Sequence, residues 1–166
     1  MTSLERQTAI VVGGAGGIGE GIVRLLCRSG IAVTINHAER KRDRARQMAE
    51  ELVRSGGAAI AVEGDITKEA DVSALVDETV KTFGGVQILV NCAGFSADGL
   101  AANLSLDDFE RTVRVNLTGT FLTTREVLKH MVPAGYGRII NISSVVGLSG
   151  LRGGSAYAAS KAAIIG

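Results

Sequence analysis

Five glycines fall within the seven positions Gly13 to Gly19, between a short apolar run, Thr8-Ala9-Ile10-Val11-Val12, and a helical pattern, Ile22, Val23, Leu25 and Leu26. β-Branched residues suit a strand, and apolar positions three and four apart suit one face of a helix. Glycines between them allow positive φ angles and close backbone approach. The segment therefore reads strand, tight turn, helix. Such a turn has two uses. It can simply close a strand onto a helix, or it can present bare backbone and the positive end of the helix to an anion. The spacing Gly14-x-Gly16-x-x-Gly19 is that of a dinucleotide fingerprint, in which a pyrophosphate takes the anion's place.

The same alternation continues along the chain. Ala32 to Asn36 reads as a strand, Glu39 to Ser55 as a charged amphipathic helix, Ala58 to Val62 as a strand, Glu69 to Phe83 as a helix and Val86 to Asn91 as a fourth strand. Leu104 to Val132 reads mostly as helix, with Ser105 and Asp108 spaced as a capping box and Gly119 as a weak point, until Pro133 and Gly135 stop it. Arg138 to Ile142 is the fifth strand, and the alanine-rich pattern Ser155 to Ile165 is the last helix. Continuously apolar strands separated by helices imply a parallel sheet buried on both faces and joined by right-handed crossovers. The expected fold is α/β, a three-layer α/β/α doubly wound parallel sheet of Rossmann type, forming one domain over residues 1–166. Ligands of such sheets bind beyond the carboxyl ends of the strands, where strand order reverses beside the first strand.

Composition narrows the partners. A formal charge of +1 and 4% aromatic residues without tryptophan supply neither the field nor the stacking surfaces for nucleic acid. Met1 to Arg6 is polar, and Ala9 to Val12 is too short for a signal core or a membrane span, so a cytoplasmic protein is expected. Cys27 and Cys92 make no disulfide framework and have no neighbouring ligand partners, so no metal is expected.

Further clusters lie at the ends of the later strands. They are Asp65-Ile66 after the third strand, Asn91-Cys92-Ala93-Gly94 after the fourth, Asn116 within a helix, and Ser144, Tyr157 and Lys161 after the fifth. Together with the spacing Gly13-x-x-x-Gly17-x-Gly19 and the run Tyr157-Ala158-Ala159-Ser160-Lys161, they resemble the short-chain dehydrogenase/reductase family along the whole chain. Ser144 stands thirteen positions before Tyr157, as in that family. Two positions depart from the pattern: Val12 replaces a threonine before the glycines, and Cys92 replaces an asparagine. Neither replaces a catalytic group.

The resemblance implies a nicotinamide-dependent oxidoreductase that interconverts a ketone and a secondary alcohol. Tyr157 would move a proton at the carbonyl oxygen, Ser144 would hydrogen-bond that oxygen, and Asn116 would hold a water linking Lys161 to solvent. The spacing i, i+4 puts Tyr157 and Lys161 on one helix face. A free phenol keeps its proton near neutrality, and a cation one helical turn away favours the phenolate. The implied cofactor residues are Gly13, Gly16, Gly17, Ile18, Gly19, His37, Asp65, Ile66, Asn91, Ala93 and Gly94, with Tyr157 and Lys161. Asp65 would contact adenine, although a turn residue capping the next segment reads equally well there. Asn91 would clamp central strands, and Gly94 would leave room beside the cofactor.

Counting eighteen positions from Gly19 gives His37, where an acidic residue would select NAD by bonding the ribose and repelling a 2′-phosphate. The nearby Arg40, Lys41 and Arg42 attract phosphate, so NADP is expected over NAD, with Glu39 as the group that could reach the ribose instead. A solvated basic helix face is the other reading of Arg40 to Arg46.

The stretch Gly137 to Gly147 resembles the 3-oxoacyl-acyl-carrier-protein reductases within the family, which points to a 3-oxoacyl thioester as the carbonyl substrate. Phe95 to Leu104 and the loop Gly147 to Gly154 would line one side of its pocket. Family members continue past the last helix seen here, so the sheet is expected to be truncated after its fifth strand and part of the following helix. That helix would be only about three turns long. A homo-oligomer is expected for the complete protein. A dinucleotide-binding or assembly module without turnover is the competing reading for residues 1–166.

Overall fold

The computed structural model describes residues 7–166; the polar start read at Met1 to Arg6 lies outside them. Five parallel strands form one sheet in the order β3-β2-β1-β4-β5. They are β1 (Thr8–Val12), β2 (Ala32–His37), β3 (Ala59–Glu63), β4 (Ile88–Asn91) and β5 (Arg138–Asn141). The helices are α1 (Gly17–Arg28), α2 (Arg42–Arg54), α3 (Glu69–Phe83), α4 (Leu106–Val113), α5 (Gly119–Met131), α6 (Val146–Ser149) and α7 (Ser155–Ile165).

β1 explains the layering. All five of its residues are buried, and alternate side chains point to opposite faces of the sheet. Ala9 and Val11 pack with Val23 and Cys27 of α1 and Met48 of α2, whereas Ile10 and Val12 pack with Leu75 and Val76 of α3 and Val127 of α5. A strand covered on both faces must be apolar at every position, and each buried valine or isoleucine contributes about 2 kcal/mol.

The chain builds β2 and β3 on one side of β1 and then returns to build β4 and β5 on the other. Ala9 pairs with Val33 on one side and with Ile88 on the other. The crevice between the carboxyl ends of β1 and β4 is therefore the switch point of the sheet.

The structure adjusts several expected elements. The helix expected from Glu39 starts with one 3-10 turn, Glu39–Lys41, before α2. The fourth strand begins at Ile88, and the preceding Gln87 holds Thr8: its side-chain oxygen accepts from the Thr8 N–H at 2.8 Å. The break in the long helix falls at Arg114–Thr118, a π-helical turn between α4 and α5, and not at Gly119. Gly119 instead packs under Ile66, whose Cδ1 would stand 2.6 Å from an added Cβ. Val146–Ser149, expected within a loop, forms the short helix α6. Its Gly147 lies so close to α7 that an added Cβ would be 2.8 Å from the Lys161 carbonyl carbon. The expected cap does form: Ser105 Oγ accepts from the Asp108 N–H at 3.1 Å.

No helix among the described residues is long and apolar enough to cross a membrane. Among the same residues no group of His, Cys, Asp and Glu is placed to hold a metal ion.

Candidate active site

The glycine turn sits at the carboxyl end of β1 and is tied to the neighbouring strand β2. The Gly14 N–H donates to the Asn36 carbonyl at 3.0 Å, and Gly13 has φ +72°. A Cβ on Gly13 would lie 2.8 Å from the backbone nitrogen of Ala93, and one on Gly19 would run into the Gly13 carbonyl. These two glycines are demanded by the protein's own packing. Gly16 and Gly17 are different. An added Cβ would meet only the Gly13 carbonyl oxygen at 3.4 Å in the first case and nothing within 4 Å in the second. Their bare backbone at the start of α1 faces open space, as a bound anion requires.

A groove of about 1170 Å³ runs over the carboxyl ends of β1 to β4. Of the residues singled out from sequence for the cofactor, Gly13, Gly16, His37, Asp65, Ile66, Ala93 and Gly94 line it. Gly17, Ile18, Gly19, Tyr157 and Lys161 do not, and Ile18 is 66% exposed. Asn91 is buried beneath the groove. Its amide donates to Asn141 Oδ1 at 2.9 Å and its oxygen accepts from Thr123 Oγ1 at 2.7 Å, which ties β4 to β5 and α5. The Asp65 carboxylate accepts from the N–H and hydroxyl of Thr67 at 3.0 and 2.8 Å, as a turn residue before a helix does, and the same residue lines the groove.

At the end of β2, His37 is buried, with Nδ1 3.1 Å from the Ala38 carbonyl oxygen. The basic residues beyond it fall into two groups. Arg40 and Lys41 line the groove and have no ion-pair partner among the described residues. Arg42, grouped with them from sequence, is taken up elsewhere: its Nε and Nη2 donate to Glu63 at 2.6 and 2.9 Å. The expectation that Arg42 attracts a ligand phosphate is therefore corrected.

The second cluster lies beyond Gly94. Asn116 occupies the π turn and is fully buried. Its Oδ1 accepts from the Phe95 N–H at 2.8 Å, and its Nδ2 donates to the Phe95 carbonyl and to Ser160 Oγ, each at 2.9 Å. The wider π turn swings this side chain between the loop after β4 and helix α7, a placement typical of functional sites. Ser160 passes the connection on by donating to the Tyr157 carbonyl at 2.8 Å.

Lys161 is 4% exposed, and its Nζ donates to the Ile142 carbonyl at 2.7 Å. The same ammonium stands 5.7 Å from the centre of the Tyr157 ring and close to Gly94, where an added Cβ would be 3.9 Å from it. Burial pushes the lysine below its ordinary range, with a smaller opposing effect from the Cys92 thiol. Cys92 itself is raised by burial, against the pull of Lys161. Ser143 Oγ donates to the Lys161 carbonyl at 2.7 Å, and the half-buried Ser144 follows it, with its Oγ accepting weakly from Val146 N–H at 3.4 Å. Ser144, Tyr157 and Lys161 thus stand on the β5–α6 connection and α7, while the groove is built from β1 to β4.

Sequence reasoning passed over Glu63, and it named Phe95 only as pocket lining and Ser160 only within the run from Tyr157 to Lys161. Strand register alone brings Glu63 beside His37. That Phe95 and Ser160 are partners of Asn116 was not legible, because no spacing rule connects positions so far apart in the chain.

The fold and the groove define the class: a doubly wound Rossmann-type sheet with a groove at its switch point. A profile of the short chain dehydrogenase family matches residues 7–166, and the chain belongs to that family. The 3-oxoacyl-acyl-carrier-protein reductase of Synechocystis sp. is 38% identical over 166 residues, which cover 100% of this chain and 67% of that protein. The bovine (Bos taurus) 3-oxoacyl-acyl-carrier-protein reductase is 38% identical over 160 residues, 96% of this chain and 65% of that protein. A crystal structure of NAD+-bound xylitol dehydrogenase matches with a TM-score of 0.93 at 30% identity, covering 99% of this chain and 63% of that one. The chain spans about two thirds of the length of these relatives.

Proposed function

We propose that this chain carries the dinucleotide groove and the proton-transfer side chains of an NAD(P)-dependent oxidoreductase acting on a ketone and its secondary alcohol. The single observation that carries the reading is Lys161. A lysine 4% exposed, hydrogen-bonded to a carbonyl and set one helical turn from a tyrosine is costly to build and is poorly explained by packing alone.

The dinucleotide fits the groove on a separate ground. Gly16 and Gly17 leave backbone bare where no protein atom needs the space, and Gly13, Asp65 and Gly94 line the path over the strand ends. When bound, the nicotinamide supplies or accepts the hydride. The chain's own residues handle the proton. Tyr157 gives its hydroxyl proton to the carbonyl oxygen in reduction and takes it back in oxidation. Ser144 donates a hydrogen bond to the same oxygen. Lys161 places a positive charge beside the phenol and is itself anchored by Ile142, and Asn116 holds α7 against the loop after β4.

NADP is favoured over NAD because Arg40 and Lys41 line the groove beyond the end of β2 with no ion-pair partner among the described residues. A 3-oxoacyl thioester is the favoured substrate class, on the strength of the two relatives named for that reaction. A homo-oligomer in the cytoplasm completes the reading.

The test is Tyr157→Phe in the intact gene product, assayed with NADPH on a panel of 3-oxoacyl thioesters, sugars and simple ketones. Turnover is expected to fall by about 10³-fold, with NADPH affinity nearly unchanged. A protein that binds NADPH but shows no turnover to lose would support the binding-module reading instead.

A further inference from the structure

The usual device that selects NAD is a carboxylate at the end of the second strand. Here that position is His37, yet a carboxylate is present next to it. His37 on β2 pairs in register with Glu63 on β3, and both line the groove. Left alone, Glu63 would place a negative charge where the adenosine ribose and any 2′-phosphate must lie.

It is not left alone. The Arg42 guanidinium holds Glu63 through two hydrogen bonds of 2.6 and 2.9 Å, from Nε and Nη2 to the two carboxylate oxygens, and its Nη2 also stands 4.0 Å from the Glu39 carboxylate at the rim of the groove. Bidentate pairing fixes both groups more firmly than a single contact does. The pairing holds the Glu63 carboxyl below its usual range, with a smaller contribution from His37, so the carboxylate stays ionised and satisfied. Arg40 and Lys41, which line this end of the groove, then remain without an ion-pair partner among the described residues.

We propose that Arg42 is a specificity-determining residue that acts through Glu63 and Glu39: by neutralising them it shifts selectivity toward the 2′-phosphorylated dinucleotide, although it need not touch that phosphate. The inference rests on the reading of the groove as a dinucleotide site.

The experiment titrates NADPH and NADH by fluorescence into the intact gene product and its Arg42→Gln, Glu63→Gln and doubly substituted forms, at low salt. The ratio of the two affinities is the readout, and thermal midpoints show that each variant is folded. Arg42→Gln is expected to lower the NADPH-to-NADH ratio by about fivefold, the size of one screened interaction between unit charges near a surface. Adding Glu63→Gln is expected to restore most of that loss. A ratio unmoved in Arg42→Gln, or not recovered in the double variant, overturns the inference while the wild-type binding still stands. Absence of binding of either dinucleotide to the wild-type protein overturns the groove reading and the inference with it. A wild-type preference for NADH above tenfold overturns only the NADP expectation, since the change in ratio still measures Arg42.

Discussion

The two halves of the site are held together by different forces. Around the glycine turn, β1 is wholly buried, and Gly13 and Gly19 have the only side chain that fits, namely none. Around Tyr157 and Lys161 the chain forms a corner between the end of β5, α6 and α7. The corner is organised by buried polar bonds: Asn116 to Phe95 and Ser160, Ser143 to the Lys161 carbonyl, and Lys161 to the Ile142 carbonyl. The glycine turn is thus a steric solution and the corner around Tyr157 and Lys161 an electrostatic one. Steric sites fail by strain when a group is added, and polar ones fail when a partner is removed and its neighbours are left unsatisfied.

The largest effect expected from this contrast is at Gly13. Gly13→Ala must adopt φ near +72° with its Cβ 2.8 Å from Ala93 backbone, and should destabilise the protein by about 4 kcal/mol. Gly17→Ala, with nothing within 4 Å of its Cβ, should leave stability within about 0.5 kcal/mol and weaken dinucleotide binding instead. Urea unfolding of both variants checks the pair, and equal destabilisation would contradict the steric account.

Asn116→Ala comes next. It leaves the part-buried Phe95 N–H and carbonyl without their partner and removes the bond that Ser160 Oγ accepts, at a cost of about 2–3 kcal/mol. Because these groups tie α7 to the loop after β4, turnover should suffer more than cofactor binding. Paired measurements of kcat and of NADPH affinity decide it, with a loss confined to affinity counting against the role given to this corner.

The smallest effect is the pH dependence of Lys161. Its folded pKa is lowered, chiefly by burial, from the ordinary 10.5. Below the folded value the fold bears the whole cost of burying the ammonium. Between the folded value and 10.5 the unfolded chain binds more protons, so this group makes stability rise with pH across that window. Comparison of urea midpoints for the wild-type protein and Lys161→Met at rising pH should show this positive slope in the former only. A falling difference would mean that the lysine is stabilised as a cation.

Much of the fold was legible because burial leaves a periodic trace. The helices Glu69–Phe83 and Ser155–Ile165 fall where the pattern put them, and the strands shift by no more than two residues at an end. The π turn at Arg114–Thr118 left no such trace, since Arg-Val-Asn-Leu-Thr has no composition that favours it over an ordinary helix. Arg42 shows the same limit at the site. From sequence it is one of three adjacent basic residues, and only the fold reveals that its charge is spent on Glu63.

What the sequence determined by itself was the alternation of strand and helix, the glycine turn and the identities of the groups at the strand ends, because hydrophobic period and backbone permissiveness are local properties. The tertiary structure alone decided which of those groups meet. Register set Glu63 beside His37, the π turn aimed Asn116 at Phe95 and Ser160, and the close approach of α6 to α7 enclosed Lys161. Such contacts join residues distant in the chain, and their energies depend on desolvation and geometry that no single segment contains.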